Sequence, residues 1–293
     1  MNTKRRLLIP FFLAALVAAV MPLTALAATD PGLGTAGNYA VIAGTTITNT
    51  GPSWVTGQMA VDPGSAITGF PGAWGATSGH QDAANAAALQ AVTDLGPPGG
   101  AYTTASGETP CTPVGVNLGG LTLGPGLYCQ GTLGITGGET LTLTGGGVYI
   151  FQAASTLITG NAARVVLTGG AQPCDIFWTV GSSATIAPAT TFVGNIMAVT
   201  SIQLQTGATL NGRAMARGGA VTLDTNRIIQ PSGCGYPVPT YVPPPFGNIL
   251  PATLGVPSEL LAEIPWLLVI GIGTGGAALA LVVSSRRRRR SSV

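Results

Sequence analysis

The sequence predicts an all-β protein, a β-solenoid with one α-helix packed alongside it. Three observations predict this fold: a scarcity of charge, an abundance of glycine, and an internal repeat of 18 residues. Charged residues make up only 8% of the 293 residues, whereas soluble domains average about 25%. Yet 46% of the residues are apolar, so the chain can build a core, and its 44 glycines can supply turns between short strands. Long charged helices and coiled coils are therefore excluded.

The two ends of the chain are basic, whereas its body carries a net negative charge. Basic residues are concentrated in the first six residues and in a run of five arginines at 286–290. Residues 28–235 contain four arginines, no lysine and eight acids, which gives a net charge of −4. Nucleic-acid-binding domains present a basic patch or stripe, so we expect no nucleic-acid partner.

Residues 1–27 have the pattern of a secretory signal peptide. Three basic residues precede an apolar stretch from Leu7 to Val20, and Ala25-Leu26-Ala27 supplies small residues for cleavage. This order of basic, apolar and small residues is the signal-peptide pattern. The alternative is an uncleaved anchor helix, but Pro22 and the small-residue site favour cleavage. The sequence therefore predicts an exported protein.

The body, residues 28–235, contains the repeat that predicts the solenoid. Residues 183–200 align with residues 201–218 at a spacing of 18, and the following unit, 219–228, continues the series with a slip of one residue. A period just below 20 with glycine turns predicts stacked coils, about 4.7–4.9 Å apart. Residues 164–180 fit more loosely, with Leu167 preceding Ile186 by 19 residues. The aligned pairs are Ile186 with Leu204, Thr191 with Thr209, Phe192 with Leu210, Gly194 with Gly212, and Ala198 with Ala216, while Leu223 extends the first column.

Alternation along these strands assigns side chains to the inside or the outside of the coil. The apolar positions, predicted to point inward, are Ile186, Phe192, Ile202, Leu204, Ala208 and Leu210. The intervening positions, predicted to point outward, are Thr185, Thr191, Gln203, Thr209 and Thr222. Since β-branched side chains are stiff at χ1, such ladders would present ordered methyls and hydroxyls.

Earlier segments are predicted to join the same sheets, except for one helix. Residues 39–50, 53–64 and 141–152 read as strands. Residues 81–95 are Ala-rich and are predicted to form a helix, ended by the segment 96–100. Its apolar stripe would comprise Ala84, Ala87, Ala88, Ala91 and Leu95. His80, the only histidine of the chain, is expected to cap this helix rather than to act as a base.

The C-terminal part is predicted to hold the protein at the cell surface. Residues 236–264 form a Pro-rich spacer, expected to be extended and semi-rigid. Residues 265–284 include 18 residues without a charge, nearly enough for a helix to cross a bilayer core of about 30 Å. The Arg-rich tail, 285–293, would then lie in the cytoplasm.

A second mode of attachment is suggested within the spacer. Leu250-Pro251-Ala252-Thr253 resembles the wall-sorting signal L-P-x-T-G that sortases cut, but Leu254 stands where that signal has glycine. The sequence leaves both membrane retention and attachment to the cell wall open.

Four cysteines fit an oxidising exterior and an even disulfide count. Three pairings are possible, and the favoured one joins Cys111 to Cys129 within a local loop and Cys174 to Cys234 across the end of the body. A zinc site is disfavoured, because the chain has no C-x-x-C pair and a single histidine. We expect no metal and no cofactor.

Five long glycine-punctuated strings resemble the DUF3494 family of bacterial and fungal ice-binding proteins. They are residues 33–51, 62–72, 145–157, 167–185 and 206–226, and the resemblance covers about residues 31–230 in the family's order. It implies a discontinuous right-handed β-solenoid beside a long helix. One departure is the segment 96–100, which interrupts a run that is continuous in the family, so the helix is expected to be shortened or broken.

The resemblance also implies that a flat face of the solenoid binds ice or ordered water. Some family members carry T-A/G-x-T/N patterns there; residues 206–209 and 35–38 match, whereas residues 56–59 do not. The expected ice-binding residues are Thr185, Thr191, Gln203, Thr209 and Thr222, with Thr46, Thr48 and Thr56 as further candidates. The alternative is that threonine merely suits exposed strands through its β-propensity.

An enzyme and a surface adhesin are the two alternative functional classes. An enzyme is disfavoured, because glycoside hydrolysis needs paired carboxylates about 5–9.5 Å apart and the eight acids of the body are scattered. Asp224 and its neighbours Arg213, Arg217 and Arg227 are expected to form a salt bridge between coils. The competing class is a non-enzymatic surface adhesin or structural protein of the cell envelope, which could stack sugars on Trp54 and Trp74, whereas Trp178 lies in a core-like strand.

Overall fold

The computed structural model describes residues 27–70, 75–97 and 99–234. These residues form a stack of coils in which every strand pair is parallel, and each complete coil contributes strands at three positions. The stack therefore has three faces, which we call face 1, face 2 and face 3. The predicted β-solenoid is confirmed.

Face 1 is a seven-stranded sheet of short strands. In spatial order along the stack they are β11 (Leu133–Ile135), β14 (Leu157–Thr159), β17 (Ala184–Ile186), β19 (Ile202–Leu204), β21 (Val221–Leu223), β2 (Thr46–Asn49) and β5 (Ala66–Thr68). At about 4.8 Å per strand, the sheet extends over roughly 29 Å along the solenoid.

Faces 2 and 3 form one fifteen-stranded sheet, because two long strands run across both of them. These are β18 (Thr191–Ala198) and β20 (Thr209–Ala216). The first residue of β18 pairs with face 2, and the residues from Asn195 onward pair with face 3. The change occurs at Gly194, whose φ of +110° lies in the region that favours glycine.

The remaining strands of these two faces are short. Face 2 contains β9 (Thr122–Leu123), β12 (Thr140–Thr144), β15 (Arg164–Thr168), β22 (Arg227–Ile229), β3 (Ser53–Thr56) and β6 (Gly75–Thr77). Face 3 contains β8 (Thr112–Pro113), β10 (Gly126–Gln130), β13 (Tyr149–Ala153), β16 (Ile176–Val180), β1 (Tyr39–Ala43), β4 (Gln58–Val61) and β7 (Gln81–Ala83).

The coils do not follow one another in chain order. The first strands of the chain stack on its last coil: β1 pairs with β20, β2 with β21 and β3 with β22. The N-terminal coils therefore continue the stack that the C-terminal coils end. This arrangement is the discontinuity that the resemblance implied.

Two helices connect the N-terminal coils to the far end of the stack. They are α1 (Ala86–Leu95) and α2 (Ala101–Gly107), which lie beside face 3 and contact β4 and β16 respectively. The break between them lies in the predicted segment 96–100, so the expected interruption is confirmed. The start of the helix was predicted wrongly, because Gln81–Ala83 is strand β7, and Ala84 and Ala87 are exposed rather than part of a buried stripe.

The helix begins at Ala86 because of Asn85. The Asn85 side chain accepts a hydrogen bond from the backbone N–H of Ala88 at 2.9 Å, which is the usual action of an N-cap residue. The prediction that His80 caps the helix is therefore wrong.

Apolar side chains are buried in two layers. The first fills the solenoid and contains an aromatic ladder, in which ring centroids are 5.3 Å apart for Tyr128–Phe151, 4.1 Å for Phe151–Trp178 and 4.9 Å for Trp178–Phe192. The second lies between face 3 and the helices and includes Ala88, Ala91, Leu95, Met197 and Met215. Small alanine side chains allow α1 to lie close to the sheet.

The predicted register of the last coils is confirmed. All five pairs at a spacing of 18 are direct partners in the sheets, and Leu223 pairs with Leu204 as expected. The six residues predicted to point inward are all buried. The looser alignment is wrong: Leu167 lies on face 2 opposite Leu143, whereas Ile186 lies on face 1. The chain between β15 and β16 includes a 3₁₀ turn at Pro173–Asp175, which lengthens that coil.

Both favoured disulfides are confirmed. Cys111 bonds to Cys129 and Cys174 to Cys234, with Cα atoms 5.8 and 5.3 Å apart. The first joins α2's trailing segment to face 3, and the second ties residue 234 to the 3₁₀ turn.

The segments predicted to direct export and attachment lie outside the described residues. They are residues 1–26, together with the spacer, the apolar segment and the tail from residue 236 onward. Within the part that is described, neither helix is long and apolar enough to cross a membrane.

Candidate functional site

Two parallel columns of outward-pointing side chains run along face 1, and one column of buried residues lies between them. Column B passes through the middle of each short strand, and its register is continuous from β11 to β5. Its members are Gly134, Ile158, Thr185, Gln203, Thr222, Thr48 and Thr68. Four of the predicted ice-binding residues are thus consecutive neighbours in one column.

Column A lies two residues earlier on the same side of the sheet. Its members are Thr132, Thr156, Ser183, Ser201, Ala220, Thr46 and Ala66. Thr156 donates to Thr132 at 3.4 Å, and the Ser183 and Ser201 hydroxyls accept from the next coil's backbone N–H at 3.4 and 3.3 Å. Side chains two residues apart on a strand are separated by about 6.7 Å, so columns A and B form a regular two-dimensional array.

The array is rich in hydroxyls and free of ionisable groups. Nine of the fourteen positions in columns A and B are Ser or Thr. One acid, Asp224, lies at the corner directly after β21, where its carboxylate accepts hydrogen bonds from Thr206 at 2.5 Å and from Thr225 at 3.0 Å. Uncharged hydroxyls and methyls therefore dominate the surface of face 1.

Most hydroxyls of column B are directed to solvent. Among the described residues, the side chains of Thr48, Thr185 and Thr222 form no hydrogen bond with another protein group. Their inward neighbours Ile47, Ala184 and Val221 are buried, which fixes the direction of the outward side chains. Because χ1 of threonine is restricted, their hydroxyls are held at repeating positions.

The other three predicted residues lie on face 2. Thr191 and Thr209 are partners in a column that we call column C, and Thr56 lies two residues beyond it on β3. The members of column C are Thr140, Arg164, Thr191, Thr209, Arg227, Trp54 and Ala76. The eight predicted residues are therefore divided between two faces, because a corner at 205–208 separates Gln203 from Thr209.

The two matches to the T-A/G-x-T/N pattern occupy different environments. Residues 206–208 lie in the corner between faces 1 and 2, and Thr209 is the first residue of β20. Residues 35–38 form a 3₁₀ turn in which Ala36, Gly37 and Asn38 are buried. The Thr35 hydroxyl donates to Asp94 of α1 at 2.7 Å, so this segment packs against the helix rather than lying on either open face.

Three ionisable side chains near the last coils, Arg213, Arg217 and Asp224, contact other protein groups. Arg213 is buried and donates to the Gly37 carbonyl and to Asn195, while the guanidinium of Arg217 lies 5.1 Å above the Tyr102 ring. Asp224 is held by hydroxyls rather than by the predicted salt bridge.

Two buried tyrosines, Tyr39 and Tyr149, have raised pKa values. Burial, together with the hydrogen bond to Asp82, raises the pKa of Tyr39 well above its usual range. Burial, with a smaller contribution from Tyr128, raises the pKa of Tyr149 to about 12. Among the described residues, no group of three or more His, Cys, Asp or Glu side chains is placed to hold a metal ion.

Sequence reasoning missed five of the nine hydroxyl-bearing residues in columns A and B. Thr132, Thr156, Ser183, Ser201 and Thr68 were not among the predicted residues, although they lie in columns A and B. Column A could have been identified by looking for a Ser or Thr two residues before each predicted outward residue, with an apolar residue between them. Ser183-Ala184-Thr185 and Ser201-Ile202-Gln203 are examples.

Trp54 and Trp74 were the predicted candidates for sugar stacking, and Trp178 was predicted to lie in the core. Trp54 is 51% exposed on face 2, whereas Trp178 is buried in the aromatic ladder. Trp74 lies outside the described residues.

Comparison with known proteins identifies the family. The family model "Ice-binding-like" matches residues 41–229. An ice-binding protein of Nostoc sp. (strain HG1) is 40% identical over 238 residues, which cover 78% of this chain and 85% of that protein. An ice-binding protein of Flavobacterium frigoris (strain PS1) is 37% identical over 212 residues, covering 68% of this chain and 76% of the relative.

Comparison with solved structures also finds ice-binding proteins. A crystal structure of an ice-binding protein from an Antarctic biological consortium superimposes with a TM-score of 0.67 at 39% identity, covering 72% of this chain and 95% of that one. The ice-binding protein of the Antarctic ascomycete Antarctomyces psychrotrophicus superimposes with a TM-score of 0.64 at 33% identity, covering 69% and 99%. The register of the coils, the helices beside face 3 and these matches lead to one conclusion: the chain belongs to the ice-binding-like family.

Proposed function

We propose that face 1 is the surface through which this protein binds ice, and that columns A and B supply the contacts. Membership of the ice-binding-like family supports ice as the ligand. The observation that carries the choice of surface is the unbroken register of Thr185, Gln203, Thr222 and Thr48, whose side chains face solvent.

The physical reason lies in how such a surface orders water. Ice offers no charge to pair with, so recognition requires many weak contacts at repeating positions. Stiff threonine side chains hold hydroxyls and methyls with little rotamer freedom, and waters bridged by these hydroxyls lose little entropy when they merge with the crystal. Ionised groups would orient water in other directions, and columns A and B have none.

Face 2 fits this role less well, although it carries Thr191 and Thr209. Column C places Arg164 and Arg227 on the two sides of these threonines and adds the exposed ring of Trp54. These long and bulky side chains project above the threonines and interrupt a regular array. Thr46, Thr48, Thr185, Gln203 and Thr222 are therefore proposed as ice contacts, and Thr56, Thr191 and Thr209 are not.

Thermal hysteresis of the purified full chain tests the choice of face. Thr222→Tyr places a bulky ring in the middle of column B, and we expect most of the activity to be lost. Thr209→Tyr makes the same change on face 2 and serves as the matched control, for which we expect activity near that of the original protein.

Two other outcomes would change the proposal. Loss of activity in Thr209→Tyr alone would move the site to face 2. An original protein without thermal hysteresis or inhibition of ice recrystallisation would overturn ice binding and favour the role of a non-enzymatic adhesin or structural protein of the cell envelope.

We further propose that the protein is exported and held at the cell surface. The signal-like residues 1–27, the apolar segment 265–284 and the Arg-rich tail support this placement. Mass spectrometry of the mature C-terminus tests the mode of attachment. A peptide that contains the arginine run would indicate membrane retention, whereas cleavage after Thr253 would indicate attachment to the cell wall.

A further inference from the structure

Column C on face 2 combines positive charge with an exposed aromatic ring. Arg227 pairs in register with Trp54 on the next strand, so their Cα atoms are about 4.8 Å apart. Arg164 lies three strands from Arg227 in the same column, at roughly 14 Å. Thr191 and Thr209 occupy the two positions between the arginines. All of these side chains point away from the core, and Trp54 is 51% exposed.

These two arginines differ from the other two in the described body. Arg213 is buried with protein partners, and Arg217 packs over Tyr102 of α2. Arg164 and Arg227 are exposed, and no ion pair joins them to an acid within the described residues. A body with net charge −4 thus presents the two exposed arginines of its described residues on one straight column, beside the exposed ring of Trp54.

We propose that column C is a binding site for an acidic polysaccharide, a linear chain of sugars that carries carboxylate groups at intervals. Arg227 and Arg164 donate paired N–H groups to two carboxylates, the geometry in which guanidinium groups bind such anions best. The Trp54 indole supplies an apolar face with a polar N–H at its edge against which a sugar ring packs. The hydroxyls of Thr191 and Thr209 hydrogen-bond to the sugar between the arginines.

The spacing and the size of the site favour a polysaccharide over other polyanions or a protein. A single nucleic-acid strand carries a charge about every 3.4 Å, whereas column C offers two cations roughly 14 Å apart and the acidic body would repel a densely charged chain. A stable protein interface buries about 800 Å² on each partner around an apolar centre. A single column of seven residues that includes one tryptophan is narrower than that, and it suits an extended polymer.

The site does not depend on the proposed ice contacts. Column C lies around a corner from columns A and B, so a bound polysaccharide would leave face 1 uncovered. A protein at the cell surface could then hold extracellular polymer on one face and ice on another.

Binding of soluble alginate oligomers, which are uronic acid chains, to the purified full chain tests the proposal by isothermal titration calorimetry at low salt. Neutral dextran oligomers of similar length are the comparison ligand. The double variant Trp54→Ala, Arg227→Gln is expected to weaken alginate binding by roughly tenfold, from lost stacking and one lost ion pair. Arg164→Gln is expected to weaken it less, and added salt should weaken binding of the original protein because the ion pairs are exposed.

Thr222→Tyr on face 1 is the matched control, and alginate affinity should not change in that variant, whatever its effect on ice. Trp54, Arg164 and Arg227 are exposed and Thr222 is partly exposed, so thermal unfolding midpoints close to that of the original protein will show that the variants are folded. Absence of alginate binding, unchanged binding in the double variant, or equal binding of dextran and alginate would overturn the proposal. Because thermal hysteresis is measured separately, failure here would leave the ice-binding proposal intact.

Discussion

At the scale of single residues, the buried guanidinium of Arg213 joins parts of the chain that are far apart in sequence. It donates to the Gly37 carbonyl at 2.7 and 3.0 Å and to the Asn195 side chain at 2.9 Å. Asn195 in turn donates to the Cys174 and Ile176 carbonyls at 3.1 Å. The charge is therefore satisfied in a region where burial of an unpaired charge would be costly.

Arg213→Met should therefore destabilise the protein. The apolar chain fills part of the space, but the Asn195 oxygen loses a charged donor, and we expect a loss of about 2 kcal/mol in the free energy of unfolding. Chemical denaturation measures this loss. Arg164→Met, on the exposed position of face 2, is the control, and an equal effect of both substitutions would contradict the structural role of Arg213.

Asp175 provides a residue-scale prediction about pH. Burial, with the nearby charge of Asp30, raises the pKa of the Asp175 carboxyl above its ordinary value. A carboxyl whose pKa is higher in the folded state favours the folded state only while it is protonated, and this contribution is lost as pH rises through the folded pKa. Asp175→Asn should therefore raise the thermal unfolding midpoint at pH 7. The difference from the original protein should shrink as pH falls through the folded pKa toward about 3.9, and it should vanish below that pH, where the carboxyl is protonated in both states. A difference independent of pH would contradict this assignment.

At the scale of elements, the bend within β18 depends on Gly194. Its φ is +110°, and a Cβ at this position would lie 2.7 Å from Ile176 Cγ2 and 2.8 Å from Trp178 Nε1. Trp178 is fixed by a hydrogen bond from its indole N–H to the Val193 carbonyl at 3.0 Å. The bend therefore has no space for a side chain.

Gly194→Ala should destabilise the fold by more than about 1 kcal/mol, because an alanine at this φ is strained and its Cβ would collide with Ile176 and Trp178. The matched control is Gly131→Ala, where a Cβ would meet no atom within 4 Å. Thermal unfolding of the two variants separates the effects. Equal midpoints would contradict the view that the bend is sterically closed.

The elements also show which parts of the fold the sequence could predict. The pairs from Ile186 with Leu204 to Ala198 with Ala216 were predictable because the two coils have equal length and the repeat has no insertion. Leu167 was misplaced because the 3₁₀ turn at Pro173–Asp175 lengthens the preceding coil, and a fixed period cannot accommodate such a change. The helix start was misplaced because Gln81–Ala83 pairs with β4, a contact between distant segments that outweighs the local helix propensity.

At the scale of the whole molecule, the division of the outward residues between faces could not be predicted from alternation. Alternation separates inside from outside, so Gln203 and Thr209 both read as exposed. Which face each occupies depends on the corner at 205–208, whose angle depends on the stacking of neighbouring coils. Likewise, the pairing of Thr48 with Thr222 requires the N-terminal coils to stack on the last coil, and only the family resemblance pointed to that discontinuity.

The stacking order has a consequence for the proposed ice contacts. Column B reaches seven strands because β2 and β5 extend the series that ends at β21. The N-terminal coils therefore lengthen the array by two strands, and Thr48 and Thr68 join Thr185 and Thr222 in one surface. A regular array of this length is the central claim for ice binding.

Adsorption of the fluorescently labelled protein to a single crystal of ice tests that claim most directly, because it measures contact with ice rather than its effect on growth. Thr185→Tyr, in column B, should lose adsorption, whereas Thr191→Tyr, one corner away on face 2, should adsorb to the same crystal planes as the original protein. Adsorption retained by Thr185→Tyr and lost by Thr191→Tyr would contradict the account.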